Sequence, residues 1–273
     1  MTLDELVNLF VQFTNQHYAT AQAQPFFRTI HGLCLKGMGV GIGGDVATSG
    51  EQAAMAYIRG ELLRKYPGQT LNVFDVGANV GNFTAAAISI FGSQGMQYRC
   101  FEPSKTAFEQ LTTAMVAHPT VSLFNIALSD SAQNNLPFFG EQAGSSQSSL
   151  YSRRLDHYGI QVAQTETINT QTLDGFCTEH AIDRIHFLKL DVEGHELKCL
   201  QGARSMTGAG NIDFIQFEFG GCNIDSRTYL QDFWYELKNY QIKRIIRDGL
   251  VDIGVYRESE EMFGNQNFLA SLR

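Results

Sequence analysis

Two short stretches hold most of the residues able to do chemistry. In FDVGANVGNFT (74–84) an acid, Asp75, leads into Gly77, Asn79 and Gly81, and an apolar helix-like run follows. In LDVEGHE (190–196) Asp191, Glu193 and His195 fall within five positions. Glycines in the first stretch permit a tight turn and a close approach to the main chain. The helix after it offers free N–H groups and a positive dipole end, which suit a carboxylate or a phosphate. In the second stretch Asp191 closes an apolar run, Glu193 and Gly194 turn the chain, and His195 opens a helix. His195 has the better intrinsic pKa for a base near neutrality. Asp191 needs an apolar pocket or a like-charged neighbour to raise its own. Both remain open as proton acceptors, with Glu218 facing the same cleft. Asp191, Glu193, His195 and Glu218 also have the composition of a Mg²⁺ or Mn²⁺ site. A divalent metal is possible there but not favoured, because acids at strand ends serve many roles.

These residues need a frame that gathers them. Residues 2 to 18 read as a helix: Thr2 and Glu5 have capping-box spacing, and Leu3, Leu6, Val7 and Phe10 share a face. A glycine-dense stretch (36–51) follows, then a second helix from about Glu51 to Lys65, stopped by Tyr66-Pro67-Gly68. From residue 71 strands and helices alternate. The strands are LNVFDV, QYRCFE, VSLFNIAL, HFLKLDV and DFIQFEF, and a polar excursion (131–165) carries a short strand at LPFFG. Such alternation predicts a mostly parallel α/β sheet covered on both faces. Ligands of such sheets bind beyond the carboxyl ends of the strands. Asp75, Glu102, Asp191 and Glu218 all fall at or near those ends. The expected division is an N-terminal helical cap with a glycine-rich loop (1–68) and one α/β domain (69–273).

The ligand can be narrowed by elimination. The dinucleotide fingerprint G-x-G-x-x-G fails at Asn79, and a P-loop fails for want of Gly-Lys-Ser/Thr. S-adenosyl-L-methionine fits better. Main-chain amides after the first strand suit its carboxylate, Asp75 its ammonium, and Glu102, 27 residues after Asp75, its ribose hydroxyls.

FDVGANVGNFT, FEPSKTAFEQL, NIALSD, FLKLDVEGHELKCLQGA and DFIQFEFG, in that order, resemble the FkbM family of S-adenosylmethionine-dependent methyltransferases, from about residue 70 to about residue 220. The resemblance implies a Rossmann-like class I methyltransferase, with a mostly parallel seven-stranded sheet and one antiparallel strand near its end. It implies O-methylation of a hydroxyl on a sugar, glycan or natural-product acceptor, with S-adenosyl-L-homocysteine as the product. Carried over, Asp75, Gly77, Asn79 and Gly81 form the methionine-end loop and Glu102 binds ribose. Ser129 and Asp130 lie near the adenine. The SSQSSL segment (145–150) resembles a Ser-rich stretch near the acceptor pocket, and the glycine-dense stretch reads equally as a lid or a linker. A nucleotide-binding oxidoreductase and a non-catalytic adenosylmethionine-binding protein are the alternatives.

Bulk properties exclude other classes. The net charge of -8 opposes a general grip on nucleic acid. The Asn/Asp-Pro-Pro-aromatic motif of amino-directed nucleic-acid methylation is also missing. Five scattered cysteines without a CxxC pair argue against a zinc knuckle or a disulfide framework. No apolar run approaches the ~20 residues that span a bilayer. MTLDELVNLF carries acids where a secretory signal carries positive charge. A cytoplasmic location is expected; the oligomeric state is left open.

Overall fold

The computed structural model describes all 273 residues. Helix α1 (Leu3–His17) opens with the predicted capping box: Glu5 N–H donates to Thr2 Oγ1, and Thr2 N–H donates to the Glu5 carboxylate. Helix α2 (Gln24–Gly37) was not foreseen; Pro25 pre-sets its first turn. Helix α3 (Glu51–Lys65) follows the glycine-dense loop as expected.

The strands and helices then alternate. They are β1 (Leu71–Val76), α4 (Asn82–Phe91), β2 (Met96–Phe101), α5 (Lys105–Met115), β3 (Val121–Phe124), β4 (Ala127–Leu128), β5 (Gln133–Gly140) and β6 (Ala163–Gln171). After them come α6 (Leu173–Glu179), β7 (Ile185–Leu190), α7 (Glu196–Gln201), α8 (Arg204–Gly208), β8 (Ile212–Phe219), α9 (Cys222–Ser226) and α10 (Leu230–Glu236). The chain ends with β9 (Tyr240–Ile246), β10 (Gly249–Asp252) and β11 (Gln266–Leu272).

The main sheet is Rossmann-like, with eight strands in the order β10-β9-β11-β8-β7-β1-β2-β3. Strands β3, β2, β1, β7 and β8 are mutually parallel, and β11 runs antiparallel between β8 and β9. Seven of these match the expected sheet. The eighth, β10, returns from β9 through a two-residue turn at Arg247-Asp248 and extends the edge. The polar excursion is more ordered than its composition suggested. Its β5 and β6 pair antiparallel and, with β4, form a separate three-stranded sheet sealed by Ala127, Phe138 and Ile168.

Strands β7 and β8 are buried along their whole length, which explains their near-continuous apolar sequences. Two apolar clusters cover the two faces. Phe74, Phe101, Phe176 and Phe217 centre one. On the other, Met55, Ile58 and Leu62 of α3 pack on Val73, Phe187 and Phe214. Helix α3 is thus one of the layers that bury the sheet. Side chains alternate along a strand, so the residues two positions beyond that last apolar row share its face: Asp75, Lys189 and Gln216. These three are successive cross-strand neighbours on β1, β7 and β8. No helix is long and apolar enough to cross a membrane.

Candidate active site

A cavity of about 730 Å³ opens beyond the carboxyl ends of β1, β2, β7 and β8, a size that suits a small-molecule ligand. Residues 43–47 of the glycine-dense loop form one wall, and residues 145–148 of the excursion, with Leu150, form another. Both segments singled out in the sequence therefore border it. Ser148 Oγ and Asn265 Oδ1 belong to residues of its wall and are buried without hydrogen-bond partners.

The β1–α4 turn makes the cavity floor. Gly77 has a φ of 79°, and a β-carbon there would stand 1.8 Å from the Asp191 carbonyl oxygen. At Gly81, with a φ of 94°, it would press on Leu111 and Met115 of α5. Both glycines thus serve close contact within the protein. Asn79 adopts a left-handed conformation, which its short polar side chain tolerates. Most amides of this turn are already used. Gly77 and Ala78 donate to the Phe101 carbonyl, Gly81 to Ala78, and Asn79 to Glu102 Oε2 at 2.9 Å. The open N–H groups lie one step further on, at Val80, Asn82 and Phe83, and all three residues line the cavity. They stand at the positive end of α4, a helix long enough to hold an anion there.

Glu102, where β2 ends, lines the cavity and accepts from the Asn79 and Ser104 amides at 2.9 and 2.8 Å. Burial pushes its carboxyl up to about 7, against the opposing pull of those two amides. Asp75 lies elsewhere than expected. It does not border the cavity; it sits beneath the turn at 2 % exposure. Thr84 Oγ1 donates to its Oδ2 at 2.6 Å, and Lys189 Nζ stands 3.1 Å from its Oδ1.

Lys189 escaped the sequence reading, although a lone lysine in the apolar strand HFLKLDV was the available signal. Its side chain is buried, its Nζ lies 3.3 Å from Asp191 Oδ2, and it donates to the Gly77 carbonyl at 3.4 Å. Burial disfavours the ammonium, but Asp191, Asp75 and Glu51 outweigh it and hold the group well above its ordinary pKa. Glu51, at the start of α3, extends this polar layer by accepting from Gln216 at 2.6 Å and Ser49 at 2.7 Å.

The β7–α7 turn supplies the acids of the far wall. Asp191 lines the cavity, keeps 40 % of its side chain exposed, and has an oxygen that no protein group occupies. Glu193, in a left-handed conformation, is ion-paired with Arg153 of the excursion; burial and the Asp191 charge raise its carboxyl above the usual range. Glu196 is fully buried and accepts from the Val192 and Gly194 amides; burial pushes it up to about 7. Glu218 is buried at the end of β8, and burial with the Asp191, Glu193 and Glu196 charges raises it strongly.

His195 borders the cavity, but both of its ring nitrogens are engaged. Nε2 lies 2.9 Å from Ser129 Oγ and Nδ1 lies 3.2 Å from Tyr151 Oη. Burial pushes its pKa down to about 4, so the ring is neutral at neutral pH. The four-residue metal set does not assemble, because this ring faces two hydroxyls. Glu193, Glu218 and Cys222 do bring ligand-type atoms within 4.8 Å, but Arg153 already pairs with Glu193. Ser129 and Asp130 also lie apart from the cavity lining. Ser129 holds His195, and Asp130 pairs with Lys198 at 2.7 Å, which keeps its carboxyl below the usual range. Tyr151 and Arg153 carried no spacing signal, since they meet the turn from a distant loop.

Comparison with known proteins bears on this site. The description "Methyltransferase FkbM domain" matches residues 75–241. No curated protein matches the chain. Among solved structures, methyltransferase FkbM from Methylobacillus flagellatus KT is similar with a TM-score of 0.43 and 14% identity, over 74% of this chain and 43% of that one. This chain therefore spans less than half the length of that protein. Aeropyrum pernix fibrillarin, solved with natively bound S-adenosyl-L-methionine, has a TM-score of 0.41 and 13% identity, over 80% of this chain and 73% of that one. A putative rRNA-methylase from Clostridium thermocellum has a TM-score of 0.39 and 11% identity, over 80% and 93%.

Proposed function

Because the chain belongs to the FkbM methyltransferase domain family, we propose that it is an S-adenosylmethionine-dependent methyltransferase and that it methylates a hydroxyl of a sugar, glycan or natural-product acceptor in the cavity at the carboxyl edge of its sheet. One observation carries this reading. Open amides at Val80, Asn82 and Phe83 and the Glu102 carboxylate share a cavity with Asp191, whose carboxylate keeps an unoccupied oxygen.

When bound, the donor supplies an electrophilic methyl group on a sulfonium centre. The open amides would hold its carboxylate, and Glu102 would accept hydrogen bonds from its ribose hydroxyls. Gly77, Asn79 and Gly81 shape the turn that presents these amides. Asp75 acts from beneath by fixing Thr84 and Lys189, in place of the direct ammonium contact expected from sequence. Ser129 and Asp130 support His195 and Lys198 in place of the adenine.

Asp191 accepts the acceptor's hydroxyl proton. A secondary alcohol is barely acidic, so a positioned base contributes typically ~10²–10⁴-fold. Lys189 fixes one Asp191 oxygen and leaves the other free to receive the proton. His195 has no free nitrogen and serves as a positioning residue between Ser129 and Tyr151. Glu218 backs the same wall, its carboxyl raised by burial and by the Asp191, Glu193 and Glu196 charges. The chemistry needs no metal, and activity that survives exhaustive chelation is the expected outcome.

Of the expected cap at residues 1–68, α3 belongs to the layer that covers the sheet of the domain at 69–273, and the glycine-dense part closes over the ligands. Five unpaired cysteines suit a reducing, cytoplasmic setting, and the net charge of -8 disfavours a nucleic-acid acceptor. The deciding experiment pairs calorimetry of adenosylhomocysteine with a labelled-donor screen of sugar nucleotides, lipid-linked sugars and natural-product scaffolds. Uptake of adenosylhomocysteine without NAD binding, with label on a hydroxyl oxygen, is expected. Thermal stabilisation by NAD alone would turn the reading to an oxidoreductase.

A further inference from the structure

Helices α1 and α2 bury none of their residues, unlike every helix that packs on the sheet. Leu3, Leu6, Val7 and Phe10 repeat at helical spacing along α1, and all four are exposed, as is Leu33 of α2 at 60%. The two helices meet through rings near their connection, where Phe13 and Phe26 centroids are 4.6 Å apart and Phe10 and Phe27 centroids 6.5 Å apart. Helices of 15 and 14 residues are marginal alone in water and gain their stability by packing an apolar face. That face must therefore be covered by something outside the chain's own fold.

Charge selects the occupant. Helix α1 carries Asp4 and Glu5 and no lysine or arginine; α2 carries Arg28 and Lys36 and no acid. Glu5 is used by the capping box and the chain's amino group, whereas Asp4, Arg28 and Lys36 make no ion pair. An acidic apolar helix beside a basic apolar helix is self-complementary under a two-fold rotation, which sets α1 of one copy against α2 of the other. A membrane surface fits poorly, since interfacial helices carry rows of lysine and arginine on the polar face, which α1 lacks.

We propose that a second copy of this chain docks on this face, so that the two helix pairs form an antiparallel four-helix bundle across a two-fold axis. Asp4 of one copy then lies near Lys36 of the other.

Sedimentation velocity and light scattering of the full chain test this. A concentration-dependent mass of twice 30.4 kDa is expected. Leu6→Asp with Phe10→Asp should give a monomer, checked by circular dichroism for retained fold. Asp4→Lys and Lys36→Asp leave the apolar face intact. Each should raise the dissociation constant roughly 10-fold, and the double variant should restore it. A monomeric wild type at every concentration overturns the proposal. So does a dimer indifferent to all these substitutions, or recruitment of the wild type to vesicles through the same face.

Discussion

The two sides of the cavity treat their acids differently. On the β1–β2 side, Asp75 and Glu102 have their oxygens met by groups of the protein itself: Thr84, Lys189 and the amides of Asn79 and Ser104. On the β7–β8 side, Asp191 shares one oxygen with Lys189 and leaves the other to the cavity. A carboxylate whose oxygens are both met by fixed protein groups is held in place; one with an open oxygen can take a proton and give it up. Lys189 belongs to both sides, because its ammonium bridges Asp75 and Asp191.

That contrast can be broken in steps. Asp191→Asn should lower kcat by ~10²–10⁴-fold while adenosylhomocysteine affinity by calorimetry stays within about twofold of the parent. A comparable loss of affinity would place Asp191 on the framework side. Lys189→Met leaves Asp75 buried without its counter-charge and should cost about 3–5 kcal/mol in urea unfolding. Adding Asp75→Asn should recover much of that stability and none of the rate. Gly77→Ala forces a β-carbon onto the Asp191 carbonyl and strains a left-handed residue, a loss of about 2–3 kcal/mol by the same measurement.

Glu102→Gln should weaken donor binding about 10-fold, or ~1.4 kcal/mol. Ribose hydroxyls favour the ionised carboxyl, so wild-type affinity should fall as pH drops below about 7, and the variant should lose that dependence. The smallest effect concerns His195. Its folded pKa is lowered to about 4 from 6.5, so the unfolded chain binds more protons between those values. Its contribution to stability is therefore lost as pH falls through that window. Buried Glu102 and Glu196, raised to about 7, act in the opposite sense. Unfolding of His195→Gln against the parent isolates the histidine part: the parent's stability relative to the variant should fall as pH drops from about 6.5 to about 4.

The frame was legible because it rests on periodicity. The continuous apolar runs of β7 and β8 and the acids that end the strands could be placed without a structure, and the capping box at Thr2 and Glu5 located α1. Which acid faces the cavity could not be read so easily. Asp75 and Asp191 both end apolar strands, and only the cross-strand row Asp75–Lys189–Gln216 shows that one is covered and the other open. That row depends on register between strands more than 100 residues apart in the chain. Separations of about 40 residues likewise hid Arg153 and the role of Tyr151, which approach Glu193 and His195 from the excursion. Helix α2 was missed because the glycine-dense stretch beside it drew the reading toward a loop. The edge strand β10 follows a two-residue turn, Arg247-Asp248, that passed unnoticed.

The contact between Gly77 and the Asp191 carbonyl has a consequence for the spacing of this site. The floor under the donor and the strand that carries the proposed base abut through main-chain atoms, with no side chain as a spacer. No side chain sets that gap, so it acts as a ruler between the cavity floor and Asp191. Residues 43–47 and 145–150 hang over the ruler without being part of it. Those rims can change shape without moving that contact.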